Sequence, residues 1–115
     1  MHELSIALSI LEGAAEEVER QGGGRLHAIH LKLGSLSGVA PDALLFSYAL
    51  AAEGTPFEGS RLVIDEIPVV VFCPECRVER TLPSIQHFCC AVCGAPTTDV
   101  VRGKELEIAG LEMDG

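Results

Sequence analysis

The chain has 115 residues, 48% of them apolar, and a formal net charge of −9. That length allows one small domain, or one domain with a smaller appendage, and the acidic charge argues against nucleic acid or an anionic membrane as partner. No apolar run approaches the roughly 20 residues that cross a bilayer, and no basic-then-apolar leader opens the sequence, so the expected compartment is the cytoplasm.

Residues 4–20 read as a helix, with Leu4, Leu8, Leu11, Ala15 and Val18 on one stripe and Glu16 four residues ahead of Arg20. Gly22-Gly23-Gly24 closes it. Residues 25–33 then alternate as a strand, His27, Ile29, Leu31 and Leu33 facing one way and Leu26, Ala28, His30 and Lys32 the other. After a loop, Pro41 suits the first turn of a second helix that runs to about Glu53, with Asp42 at the positive end of its dipole. A strand follows at 61–67, and Pro68 ends or bends it. The last strand covers 105–113, with a register shift near Ala109-Gly110. The order predicts an α+β (mixed α/β) fold of two helices on a three-stranded sheet. Residues 1–70 plus 99–115 form the α/β domain, and 71–98 are an inserted zinc-ribbon-like module with short strands at 78–82 and 85–88.

All five cysteines lie between positions 73 and 93. In a chain without a secretory leader, such clustering favours metal over disulfides. Cys73-Pro-Glu-Cys76 and Cys90-Ala-Val-Cys93 are two C-x-x-C knuckles separated by 13 residues. Two thiolates from one tight turn reach the same ion, and two knuckles complete the tetrahedral sulfur shell zinc prefers. With no open coordination position, that zinc is structural. Gly94 follows the second knuckle where an open turn is needed, whereas Arg77 holds that place after the first. Cys89 reads as a free thiol, and His87 is a weaker ligand candidate. A redox C-x-x-C pair normally occurs once, at a helix start, which fits this segment poorly.

The opening Met1-His2-Glu3 carries a second metal chemistry. The α-amine, the His2 backbone nitrogen and the His2 ring nitrogen close linked chelate rings around one ion, and the Glu3 amide or carboxylate adds a further donor. A planar nitrogen-rich set suits Ni(II) or Cu(II) rather than zinc. It requires a free, deprotonated terminus, so affinity rises with pH near neutrality.

A chain that opens Met-His-Glu-Leu-Ser, then carries this helix, the Leu33-Gly34-Ser35-Leu36-Ser37-Gly38 turn and a late double C-x-x-C, resembles the HypA/HybF hydrogenase maturation proteins over essentially its whole length. The resemblance implies a non-enzymatic nickel metallochaperone for [NiFe]-hydrogenase, and in some members urease. Nickel as cargo would be held at Met1, His2 and Glu3, with structural zinc at Cys73, Cys76, Cys90 and Cys93. An acidic residue at the start of the second helix, here Asp42, is implicated near nickel in some members. The implied partners are a HypB-type GTPase and the hydrogenase large subunit, with monomers and homodimers both found among relatives. The residues leave two other readings: a zinc-ribbon module binding protein or nucleic acid without nickel, which should show more basic residues than Arg77, Arg80 and Arg102, and a thiol redox protein using Cys89, Cys90 and Cys93.

Overall fold

A computed structural model of the chain describes residues 2–114. They form, in order, α1 (His2–Arg20), β1 (Arg25–Gly34), α2 (Pro41–Ala52), β2 (Arg61–Ile67), β3 (Val70–Cys73), β4 (Val78–Thr81), β5 (Asp99–Arg102) and β6 (Leu106–Asp114). Two compact units result. The first takes the chain up to Lys32, Val39–Asp65 and the residues from Glu107 onward, and the second takes Leu33–Gly38 and Glu66–Leu106.

In the first unit, α1 packs against α2. The buried face of α1 is Ala7, Ile10, Leu11, Ala14 and Val18, a stripe rotated from the expected one. Leu8 is 52% exposed, while Ala7 and Ala14 are fully buried. Small residues let neighbouring backbone approach closely, so fit rather than side-chain size chose the face. The helix closes through paired bonds: the Gly23 N–H donates to the Val18 carbonyl at 2.9 Å and the Gly22 N–H to that of Glu19 at 3.0 Å, the pattern of a left-handed helix cap. The expected Glu16–Arg20 pair is replaced by Glu17–Arg20 at 2.5 Å. Glu17 also accepts from Gln21 Nε2 at 3.0 Å, so one carboxylate gathers both donors of the last turn.

Pro41 opens α2 and Asp42 lies exposed in its first turn. Leu44, Ser47, Tyr48 and Ala52 are buried, and the Tyr48 and Ser60 hydroxyls hydrogen-bond at 2.7 Å. The three-stranded sheet has the order β2-β1-β6. Because β1 is central, both of its faces carry buried residues, Leu26 and Ala28 on one and Ile29, Leu31 and Leu33 on the other. Its histidines tie down β6: His27 pairs with Asp114 at 2.9 Å and His30 with Glu112. Later residues of β1 thus meet earlier residues of β6, so the two strands run in opposite directions. The hydrogen bond from His30 holds the Glu112 carboxyl below its usual range.

The second unit is built on the sheet β4-β3-β5. β3 begins just past Pro68, antiparallel to β4 with Val71 opposite Arg80 and Cys73 opposite Val78. Val69, Val71 and Leu82 form its core, with Leu36, Phe88 and Val100 packed around them. Of the two expected ribbon strands, only the first is present. Residues 85–88 form no strand: Ser84 Oγ accepts the Gln86 N–H at 3.2 Å, a turn-forming bond after Pro83, and Ile85 is half exposed. The third strand is instead β5, downstream of the second cysteine pair, with a register shift between Val70 and Val71.

The segment 33–38 is stitched into this unit by its backbone. The Gly34 N–H donates to the Glu105 carbonyl at 2.7 Å, that of Ser35 to Ile67 at 3.0 Å and that of Leu36 to Gly103 at 2.7 Å. A Cβ on Gly34 would stand 2.1 Å from the Gly103 carbonyl oxygen, and the obstacle is backbone, which has no rotamer to escape into. Gly34→Ala should therefore lower stability by about 2–3 kcal/mol, the upper range for an overpacked site, measured by urea unfolding. An unchanged midpoint would refute this account of the turn.

Candidate metal centre

Cys73 ends β3, and Cys76 lies in the turn that leads into β4. Cys90 and Cys93 repeat that arrangement in a second turn. The Arg77 N–H donates to the Cys73 carbonyl at 2.8 Å, and the Gly94 N–H to the Cys90 carbonyl at 2.9 Å. The leading sulfur of each turn also accepts a backbone N–H: Cys73 Sγ from Cys76 at 3.3 Å, and Cys90 Sγ from Val92 at 3.4 Å. Both turns close on a left-handed residue, Arg77 with φ 58° and Gly94 with φ 77°. The turn geometry thus overrides the missing glycine after the first knuckle, at a cost of about 1 kcal/mol for a residue with a Cβ. Arg77 is exposed, so Arg77→Gly should stabilise the zinc-loaded protein by up to about 0.5 kcal/mol, the looser unfolded chain offsetting most of the relieved strain. A fall in the thermal midpoint would contradict this.

The four sulfurs all lie within 4.8 Å of one another. The Cys73 and Cys93 sulfurs are 3.5 Å apart, and those of Cys76 and Cys90 are 3.9 Å apart. Four thiolates about 2.3 Å from a tetrahedral zinc stand about 3.8 Å from one another, so the donor set fits that ion in chemistry and in spacing. The thiols strongly influence one another. Hydrogen bonds from the Cys93 and Val92 backbone N–H groups lower the Cys90 thiol to about 6. Cys93 is pushed up to about 12: the Ala95 N–H pulls it down, but the neighbouring Cys73, Cys76 and Cys90 side chains and burial outweigh that bond. Four sulfurs at this distance cannot all carry charge unless a cation lies among them, and a divalent ion removes the conflict.

Among the described residues, these cysteines are the one group of three or more potential metal ligands that converges. Cys89 is exposed and its backbone bridges Pro96. His87 is exposed as well, and neither belongs to the cluster. The neighbouring Cys76 and Cys90 thiols hold the Arg80 guanidinium above the ordinary arginine range.

At the other end of the chain, His2 is exposed at the start of α1 and Glu3 lies half-buried in its first turn. Met1 lies outside the described residues.

The expected family resemblance holds across the chain. Residues 1–113 match the family described as hydrogenase/urease nickel incorporation, metallochaperone, HypA. The hydrogenase maturation factor HypA of Chloroflexus aurantiacus is 50% identical over 112 residues, covering 97% of this chain and 98% of that relative. The corresponding protein of Roseiflexus sp. is 46% identical over 114 residues, covering 99% and 93%. The solution structure of the Ni metallochaperone HypA from Helicobacter pylori shares the fold, with a TM-score of 0.67 over 96% of both chains at 17% identity. With its α+β fold and a four-cysteine site suited to structural zinc, the chain belongs to the HypA family of hydrogenase-maturation nickel metallochaperones.

Proposed function

We infer that this chain takes up Ni(II) at Met1, His2 and Glu3 and passes it on for [NiFe]-hydrogenase assembly, while zinc at Cys73, Cys76, Cys90 and Cys93 holds the second unit in shape. The observation that carries the nickel reading is that α1 begins at His2, with the imidazole exposed. The first N–H groups of a helix have no intrahelical partner, so the His2 and Glu3 amide nitrogens can bind a metal without breaking a helical bond. Binding through amide nitrogen requires loss of its proton, and the positive end of the helix dipole stabilises the resulting anion. The terminal amine supplies the next donor. Its ordinary pKa of about 7.7–8.0 makes nickel binding stronger as pH rises through neutrality.

The site is open to solvent on the described side, as a carrier's site must be if cargo is to leave. The zinc site is the opposite: four thiolates fill the coordination shell and leave no position for exchange. The partners that suit this role are a HypB-type GTPase that shares nickel delivery and the hydrogenase large subunit that receives it. A second copy of the chain is a further partner. The zinc-ribbon interaction reading loses ground, because the family match covers both units and the chain is acidic.

The test is complementation of a strain lacking its own nickel-insertion factor, grown at limiting nickel. This chain should restore hydrogenase activity and His2→Ala should not. Excess nickel should rescue both by mass action. Restoration by His2→Ala equal to that by the parent would overturn the reading.

A further inference from the structure

We propose that the outward face of α2 is the docking site for one helix of a partner protein, a helix with an apolar stripe and a basic residue at each end of it. Within residues 41–52 the one charged side chain is Asp42, so α2 is apolar almost all round, a composition that suits a helix buried on every side. Yet only one side is covered. Leu44, Ser47, Tyr48 and Ala52 are buried, whereas Phe46 is 68% exposed, Leu50 50% and Leu45 41%. Ala49 is exposed between them, and Asp42 and Glu53 are exposed at the two ends of the helix. Positions 42, 46, 49 and 53 recur every three or four residues and so line up along one face, with Leu45 and Leu50 on either side. The result is an apolar ridge about 16 Å long, at 1.5 Å per residue, with a carboxylate at each end.

Exposed apolar residues scattered singly are ordinary, but a continuous apolar ridge rimmed by charge marks an interaction surface. The fold itself makes no use of the end charges: among the described residues, no Lys, Arg or His pairs with Asp42 or Glu53. Those charges select what can cover the ridge. A second copy of α2 laid parallel sets Asp42 against Asp42 and Glu53 against Glu53, and laid antiparallel it sets Asp42 against Glu53. Either way like charges meet, which disfavours self-pairing. An anionic membrane is repelled by the same two carboxylates and by the net charge of −9. A partner helix with Lys or Arg at both ends of its apolar stripe satisfies both carboxylates, and its side-chain rows pack between Leu45, Phe46 and Leu50. Phe46 is the anchor, being aromatic and the most exposed of the three. The end charges set the register, and the ridge supplies the affinity. That such a partner exists rests on the delivery role inferred above.

The test titrates the full zinc-loaded chain with a synthetic helical peptide that has leucines along one face and a lysine at each end of that face, beside a twin with glutamates in place of the lysines. Backbone amide resonances report where each peptide lands. The lysine peptide should shift residues 42–53 and bind on the order of tenfold tighter than its twin, a difference that shrinks as salt is raised. Phe46→Ser should weaken binding on the order of thirtyfold, as loss of an aromatic anchor does, with zinc content and melting unchanged because the ring is exposed. Asp42→Asn together with Glu53→Gln should remove most of the difference between the two peptides. Equal affinity of the parent for both peptides, or shifts confined to other elements, would overturn the proposal. So would a parent that sediments as a dimer and a Phe46→Ser variant that does not, which would make the ridge an interface between copies of this chain. His2→Ala should bind the lysine peptide as the parent does. A chain that binds the peptide on α2 but takes up no nickel would refute the delivery role and leave the docking face standing.

Discussion

Cys73→Ala should leave the protein without zinc and the second unit without a stable fold. Cys73 is fully buried at the end of β3, and its sulfur lies 3.5 Å from that of Cys93 in the other turn. The apolar core around it is small, with Val69, Val71 and Leu82 as its buried members. Structural zinc contributes an apparent ~10–16 kcal/mol to the domains it organises, whereas an entire domain is stable by only ~5–15 kcal/mol. Losing the metal therefore removes about as much free energy as holds such a unit folded. The readout is zinc content together with thermal unfolding, and stripping zinc from the parent with a chelator should reproduce the variant. The helical signal from α1 and α2 should persist, because both helices belong to the first unit. Cys89→Ser serves as the control: that thiol is exposed and outside the cluster, so zinc content and melting should match the parent. A zinc-free protein with native-like melting of the second unit would refute a structural role for the metal.

His2→Ala should abolish tight nickel binding while leaving zinc and fold in place. The imidazole closes one ring of a chelate whose other donors lie on the same few atoms of chain. A tethered donor acts at a high effective concentration, and losing one lowers affinity on the order of 10²–10⁴-fold. His2 is exposed at the first position of α1, and alanine is the best helix former, so stability should change little. Calorimetric nickel titration beside zinc content and circular dichroism measures all three quantities. Loss of nickel affinity together with loss of fold would instead give His2 a structural role.

Local features were legible in the sequence because local chemistry decides them. The glycines after Arg20 close α1, Pro41 opens α2, Pro68 separates β2 from β3, and each C-x-x-C spacing forms its own turn. Features chosen by distant partners were not legible. The buried face of α1 depends on what packs against Ala7 and Ala14, so the larger Leu8 misled the reading. One local choice was also misread: Arg20 pairs with Glu17 in place of Glu16, and Glu17 accepts from Gln21 as well. Residues 85–88 have the composition of a strand, but β5 from beyond the second knuckle takes the place beside β3. The glycine of the Leu-Gly-x-Leu-Ser-Gly turn could be seen in the sequence, yet its reason is the Gly103 carbonyl, nearly 70 residues away.

The most direct measurement of the central claim is nickel titration of the zinc-loaded chain with its native Met1 terminus beside the same chain extended by a short N-terminal peptide. The extension leaves His2 and every other side chain in place and removes only the free amine. The account predicts one tightly bound nickel per native chain, none in the extended one, and equal zinc in both. Equal nickel affinity in the two chains would contradict it and place the cargo site elsewhere in the protein.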